Sequence, residues 1–155
     1  MAKRYTRSST TNGELATDYP DQGDEEVMQA LVTASALVAL ADGRVEAVER
    51  DELVHFIDRQ RLVPAISQHD IAEAFDNRVR RLENRDSVDM IVEAFRPLAG
   101  LSLASVVVRT AERVAAADRQ IHRGELHALK LIRLLLMTLP DKRPTPASGV
   151  VSSSK

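Results

Sequence analysis

Two stretches decide how this chain is read: ADGRVEAVE, from Ala41 to Glu49, and AADRQIHRGE, from Ala116 to Glu125. In each, an Asp follows an Ala, an apolar residue stands three positions past the Asp (Val45, Ile121), and a Glu stands seven past it (49 minus 42, 125 minus 118). The shift that aligns them, 118 minus 42 or 76 positions, also pairs Val32 with Val108, Val38 with Val114, Ala39 with Ala115, Leu53 with Leu129 and Phe56 with Ile132. One turn chemistry and one apolar face therefore occur twice, the mark of a duplicated helix-turn-helix unit.

Working outward from the first stretch, Val27, Leu31, Ala34, Val38 and Ala41 recur at the spacing of one helix face. Asp42-Gly43 then supplies a residue suited to positive φ, and Leu53, Phe56 and Ile57 resume the pattern as a second helix. The second stretch has the same surroundings: Leu103, Val107, Ala111 and Val114 before it make helix 5, and helix 6 runs after it from about Gly124 to Leu139. Between the copies, Pro64 and Ser67 precede a third helix carrying Ile71, Phe75, Val79 and Leu82, with Ser67 and Asp70 at capping-box spacing. A fourth carries Val88, Ile91, Val92 and Phe95, and should stop near Arg96 because Pro97 disfavours helix before it. The expected fold is all-α, a six-helix bundle built by doubling one unit. Helix 6 is apolar nearly all round (Leu126, Leu129, Leu131, Ile132, Leu134, Leu135, Leu136, Met137), so burial on most of its sides is expected. Residues 1–23 and 140–155 are rich in Ser, Thr, Gly and Pro without periodicity and read as disordered tails around a helical domain at 24–139.

Composition closes several function classes. Hydrophobic residues make up 44% but aromatics only 3%, so the core must be filled by Ala, Val, Leu and Ile, which suits closely packed helices. With 21 Lys and Arg against 23 Asp and Glu, the net charge of −2 supplies no field for nucleic acid. The absence of Cys removes disulfides, thiolate zinc sites and a cysteine nucleophile, and fits a reducing compartment. The N-terminus has no apolar signal segment, and the longest apolar stretch, Leu31 to Ala41, falls well short of the roughly 20 residues of a membrane span. A cytoplasmic, soluble protein is expected. No P-loop, nucleophile elbow, dinucleotide turn or HExxH is present, so no enzymatic activity is expected.

The doubled kernel resembles the TerB family of tellurite-resistance proteins, whose repeated signature is Ala-Asp-Gly, any residue, Ile or Val, three residues, then Glu. The resemblance spans about Val27 to Leu139. It implies an all-helical domain with pseudo-twofold internal symmetry, no enzymatic activity, and a divalent-metal site made by the repeated carboxylates. It also implies work in bacterial stress responses, near the inner membrane and among partner proteins; the J domain to which some relatives are fused is not in this chain. The matching positions are Asp42 and Glu49 in the first copy, Asp118 and Glu125 in the second. Where the signature has Gly, the second copy has Arg119, and His122 stands opposite Glu46, so a differently shaped second turn with weaker ligand geometry is expected.

The same residues admit a plainer reading. An N-cap at position 46 or 122 would put each Glu at the capping-box position, and each Asp stands where its carboxylate commonly binds nearby backbone amides. If a cation is bound instead, the spacing is too short for an EF-hand, and hard oxygen ligands would suit Mg²⁺ or Ca²⁺ better than Zn²⁺. His122 with Glu125 and His127 is a weaker candidate, a mixed His and carboxylate site for a transition metal around the second turn, and Asp51, His55 and Asp58 on one helix face have less support still. Arg78, Arg80, Arg81 and Arg85 form a basic run interrupted by Glu83 and Asp86 and lacking aromatics, which reads as a solvated helix face. The apolar excess of helix 6 points to a protein partner or a homodimer.

Overall fold

The computed structural model describes residues 23–84 and 87–140. Except for Gly23 and Pro140, the two expected tails lie outside the described residues, as do Arg85 and Asp86. Six helices follow one another: α1 (Asp24–Leu40), α2 (Ala47–Gln60), α3 (Gln68–Asn84), α4 (Val88–Phe95), α5 (Leu103–Ala115) and α6 (Arg123–Thr138), with a 3₁₀ turn (Arg96–Leu98) after α4. No strand occurs among the described residues, and none of the described helices is long and apolar enough to cross a membrane.

Local chemistry sets the boundaries. Asp24, Glu25 and Glu26 crowd the first turn of α1, where carboxylates meet the positive end of the helix dipole. Asp24 also accepts the Ala65 N–H at 2.8 Å, tying the start of α1 to the loop between α2 and α3. α2 closes on Arg61 in the left-handed conformation (φ 52°), with the Leu62 N–H returning to the Ile57 carbonyl at 3.1 Å. Ser67 caps α3 as its spacing predicts, its hydroxyl accepting the Asp70 N–H at 3.1 Å. Pro97 ends α4 by converting the chain to the 3₁₀ turn.

α1 is the central helix. Eleven of its 17 residues are buried, because α3, α4, α5 and α6 all pack on it. α2 lies mainly on α5, the first helix of the other copy, rather than on α1, while α6 packs on both α1 and α5. This crossed arrangement is what a pseudo-twofold pairing of the two units produces. Leu31, Val38, Leu53 and Ile57 from the first unit and Val107, Val114 and Ile132 from the second share one core with Phe75 and Phe95 of the intervening helices. An Arg113–Glu52 ion pair at 3.0 Å and the Arg113 guanidinium 5.4 Å from the centre of the Phe56 ring also join α5 to α2.

Two expectations are overturned. α6 is not covered on most sides: of its large apolar residues only Leu129, Ile132 and Leu136 are fully buried, and Leu126, Leu131, Leu134 (57% exposed) and Met137 (80% exposed) face outward. It lies at the edge of the bundle, where neighbours reach only one side. The basic run on α3 is not wholly solvated either. Arg78 is buried and its guanidinium donates to the Gln29 side chain of α1, while Arg80 and Arg81 are exposed.

Candidate metal centre between the two turns

The turn that follows α1 is fixed by three bonds. Gly43, at φ 87°, donates its N–H to the Leu40 carbonyl at 2.9 Å; the Asp42 carboxylate accepts the Arg44 N–H at 3.0 Å; and Glu49 reaches back to accept the Glu46 N–H at 2.8 Å. After α5 the same three bonds recur. Arg119, at φ 73°, donates to the Ala116 carbonyl at 2.9 Å; Asp118 accepts the Gln120 N–H at 3.0 Å; Glu125 accepts the His122 N–H at 2.8 Å. The expectation of a differently shaped second turn is therefore wrong. Arg119 takes the left-handed conformation that Gly43 takes freely, a strain of roughly 1–2 kcal/mol, because the flanking Asp and Glu bonds hold the backbone there.

What brings the two turns together is Gly124. A Cβ built on it would lie 2.5 Å from the Ala41 carbonyl oxygen, so only the bare backbone allows the first turn of α6 to come this close to the end of α1. Across this contact, His122 Nε2 stands 3.8 Å from Asp42 Oδ2 of the other copy and 3.7 Å from Asp118 Oδ2 of its own. Asp42, His122 and Glu125 each offer one ligand atom, and these lie within 4.8 Å of one another.

Burial makes the two glutamates unusual. Glu49 is only 7% exposed and Glu125 only 3%. Desolvation raises Glu49 from 4.5 to about 7; its bond from the Glu46 N–H opposes the rise, and the charges of Asp42, Glu125 and Glu46 add to it. Glu125 is raised as well, again first by burial and further by Asp118 and Asp42, against the lowering effect of the His122 N–H and the His122 side chain. One Glu125 oxygen accepts the His122 N–H, and its other oxygen accepts no hydrogen bond among the described residues.

Of the four carboxylates singled out in the sequence, Asp42 and Glu125 come within 4.8 Å of each other, and Asp118 is linked to them through His122. Glu49 feels the charges of Asp42 and Glu125 but contributes no ligand atom to the close group. Sequence reasoning grouped His122 with Glu125 and His127; the structure keeps Glu125 beside it, does not bring in His127, and adds Asp42 of the other copy, which the sequence did not place there. Sequence reasoning also passed over Gly124, although Val48 occupies that position in the first copy. Asp51, His55 and Asp58 do not gather into a ligand group; a second group among the described residues, His69, Asp70 and Glu73, is wholly exposed at the start of α3. Anionic oxygens with one imidazole suit a divalent cation, which would neutralise the charge that burial and mutual repulsion now disfavour.

Residues 28–143 match the family model described as tellurite resistance protein TerB. No curated protein and no solved structure matches the chain.

Proposed function

The chain belongs to the TerB family, and on that footing we propose that it is a non-enzymatic stress-response module whose two turns hold a divalent cation between them. The observation that carries this is the approach of Asp42, His122 and Glu125 to within 4.8 Å across the pseudo-twofold contact, beside a glutamate whose carboxyl is pushed up to about 7. Asp42 and Glu125 would be the primary oxygen ligands, with Asp118 and Glu49 completing the charge balance. A cation would supply electrostatic cross-linking: it joins the end of α1 to the start of α6, so its arrival would stiffen the junction of the copies. A module of this kind acts through binding, as a bacterial cytoplasmic protein working near the inner membrane, and the exposed apolar residues of α6 are its contact for a protein partner.

Because a cation binds the folded chain and not the unfolded one, melting temperature should climb with its concentration. Asp42→Asn combined with Asp118→Asn should remove that climb while the helical circular-dichroism spectrum stays intact. A second reading has specific support, since each of the four carboxylates already accepts a backbone N–H, Glu49 and Glu125 in capping boxes and Asp42 and Asp118 within the turns. On that reading the module only docks partners through α6, and no ion of any class changes the melting curve of the wild-type chain.

A further inference from the structure

We infer that the cleft where α3 and α4 flank the start of α1 binds a carboxylate carried on a cationic body, with Arg78 and Arg96 taking its oxygens. This cleft lies at the other end of α1 from the paired turns, so the inference is independent of the cation reading.

A buried cation without a counter-ion points there. The cleft encloses about 830 Å³, and three arginines line it: Arg78 and Arg81 from α3, and Arg96 from the 3₁₀ turn after α4. Arg78 is only 9% exposed, and its guanidinium donates to the neutral side-chain oxygen of Gln29. The same amide donates to Glu25 at 2.8 Å, which holds its oxygen toward Arg78. Among the described residues, no carboxylate stands within 4.0 Å of any of the three arginines, and the other N–H groups of Arg78 find no acceptor. Burial and the neighbouring charge of Arg81 both lower the pKa of Arg78. Arg96 Nε is likewise buried without a hydrogen-bond partner among the described residues. A buried charge with neither ion partner nor a full set of hydrogen bonds is costly, and a carboxylate offsets that cost through paired bonds to the guanidinium fork.

The rest of the lining selects among anions. Glu25, Glu26, Asp89 and Glu93 are all exposed, whereas Ala94 is buried and Met90 and Pro97 are half-buried. Negative charge therefore stands at the solvent edge and the desolvated positive charge lies deeper. A polyphosphate or nucleic acid would carry its charge past those carboxylates and be repelled. A single carboxylate with a cationic outer end satisfies both zones, its ammonium groups meeting the exposed acids and its stem meeting Met90, Ala94 and Pro97. A peptide with one acidic side chain between basic ones has this chemistry, and so does a free diamino acid.

The test is titration of the full chain near neutral pH with four probes: acetyl-Lys-Glu-Lys-amide, acetyl-Lys-Gln-Lys-amide, free lysine and inorganic phosphate. Binding is followed by the ¹H–¹⁵N signals of the arginine Nε groups. The Glu peptide or free lysine is expected to bind at one site and to shift Arg78 and Arg96 most. The Gln peptide, more positive but lacking the carboxylate, and phosphate should each bind at least roughly tenfold more weakly, the worth of one charge-assisted hydrogen bond. Tighter binding of the Glu peptide would make the natural ligand a segment of a partner protein; tighter binding of lysine would make it a small amino acid. Arg78→Met should remove binding without lowering the melting temperature, because it deletes an unpaired buried charge. Arg96→Gln, at a half-buried position, should weaken binding by roughly tenfold with the helices intact. No shift at Arg78 or Arg96 with any probe, equal binding of the Glu and Gln peptides, tighter binding of phosphate, or binding untouched by both substitutions would overturn the inference, and none of these outcomes bears on the cation between the turns.

Discussion

The two turns of this protein make the same hydrogen bonds from different residues, and they differ most where they face each other. Gly43 and Arg119 share a left-handed backbone, Asp42 and Asp118 share an amide bond two residues on, and Glu49 and Glu125 share the reach-back to the N-cap. Against that sameness stand two differences: Glu46 against His122, and Val48, which is exposed, against Gly124, which meets the Ala41 carbonyl. A repeat conserves what holds each unit's backbone and diverges where an exact twofold would put two identical groups against each other. Two glutamates at the N-cap positions would add repulsion to an already acidic contact; a histidine on one side relieves it.

The sharpest break of this comparison is an exchange at the paired positions. Gly124→Val gives the second copy the residue of the first, and the added side chain meets the carbonyl backbone of Ala41, which cannot swing aside. A loss of about 2–3 kcal/mol is expected in urea unfolding. The reciprocal Val48→Gly sits on an exposed helix start and should cost below about 1 kcal/mol. Equal costs at the two positions would mean that the turns are not in contact.

The buried carboxylates give a smaller, pH-dependent effect. Because the folded state raises Glu49 from 4.5 to about 7, folding takes up a proton between those values. Its stabilising share is complete below the lower value and is lost as pH rises through the upper one, by at most about 3 kcal/mol. Glu49→Gln keeps the capping geometry and removes the charge, so without metal it should be more stable than wild type at pH 8 and should lose most of the fall between pH 5 and pH 8. Denaturant midpoints at the two pH values measure both. Greater stability of the wild type at the higher pH would reverse the sign of the whole electrostatic argument.

The mildest comparison concerns the left-handed residues. Gly43→Ala should cost about 1 kcal/mol by forcing a side chain into φ 87°, whereas Arg119→Gly should gain somewhat under about 1 kcal/mol, the relief of strain being offset by a freer unfolded chain. Thermal melts of the two variants should move in opposite directions; a loss in both would show that the Arg119 side chain contributes something its backbone geometry does not reveal.

The helices and their doubling were legible because apolar spacing and the Asp-to-Glu interval are one-dimensional signals, repeated at a fixed shift. Capping by Glu49 and Glu125 was legible for the same reason. Which residues meet across the fold was not. His122 finds Asp42 only because α2 and α6 cross to the other copy, and Gly124 reveals its role only when the Ala41 carbonyl is beside it. Apolar content made α6 look buried, yet periodicity records how greasy a helix is and not how many neighbours cover it; Leu134 and Met137 stand exposed at the bundle edge. Arg78 misled in the opposite sense: among its charged neighbours it read as solvated, but it faces α1 and Gln29.

The central claim, that the repeated carboxylates converge on a cation between the turns, is tested most directly by following the side-chain carboxyl carbons of Glu49 and Glu125 by ¹³C NMR across a pH titration, with and without a divalent ion. In the metal-free chain Glu49 should titrate at about 7 and Glu125 above its ordinary 4.5. Saturating ion should bring both down, since a neighbouring cation favours the ionised form. Titration of both in the ordinary carboxylate range, unmoved by any divalent ion, would contradict the account and leave the two glutamates as helix caps and the two aspartates as turn braces alone.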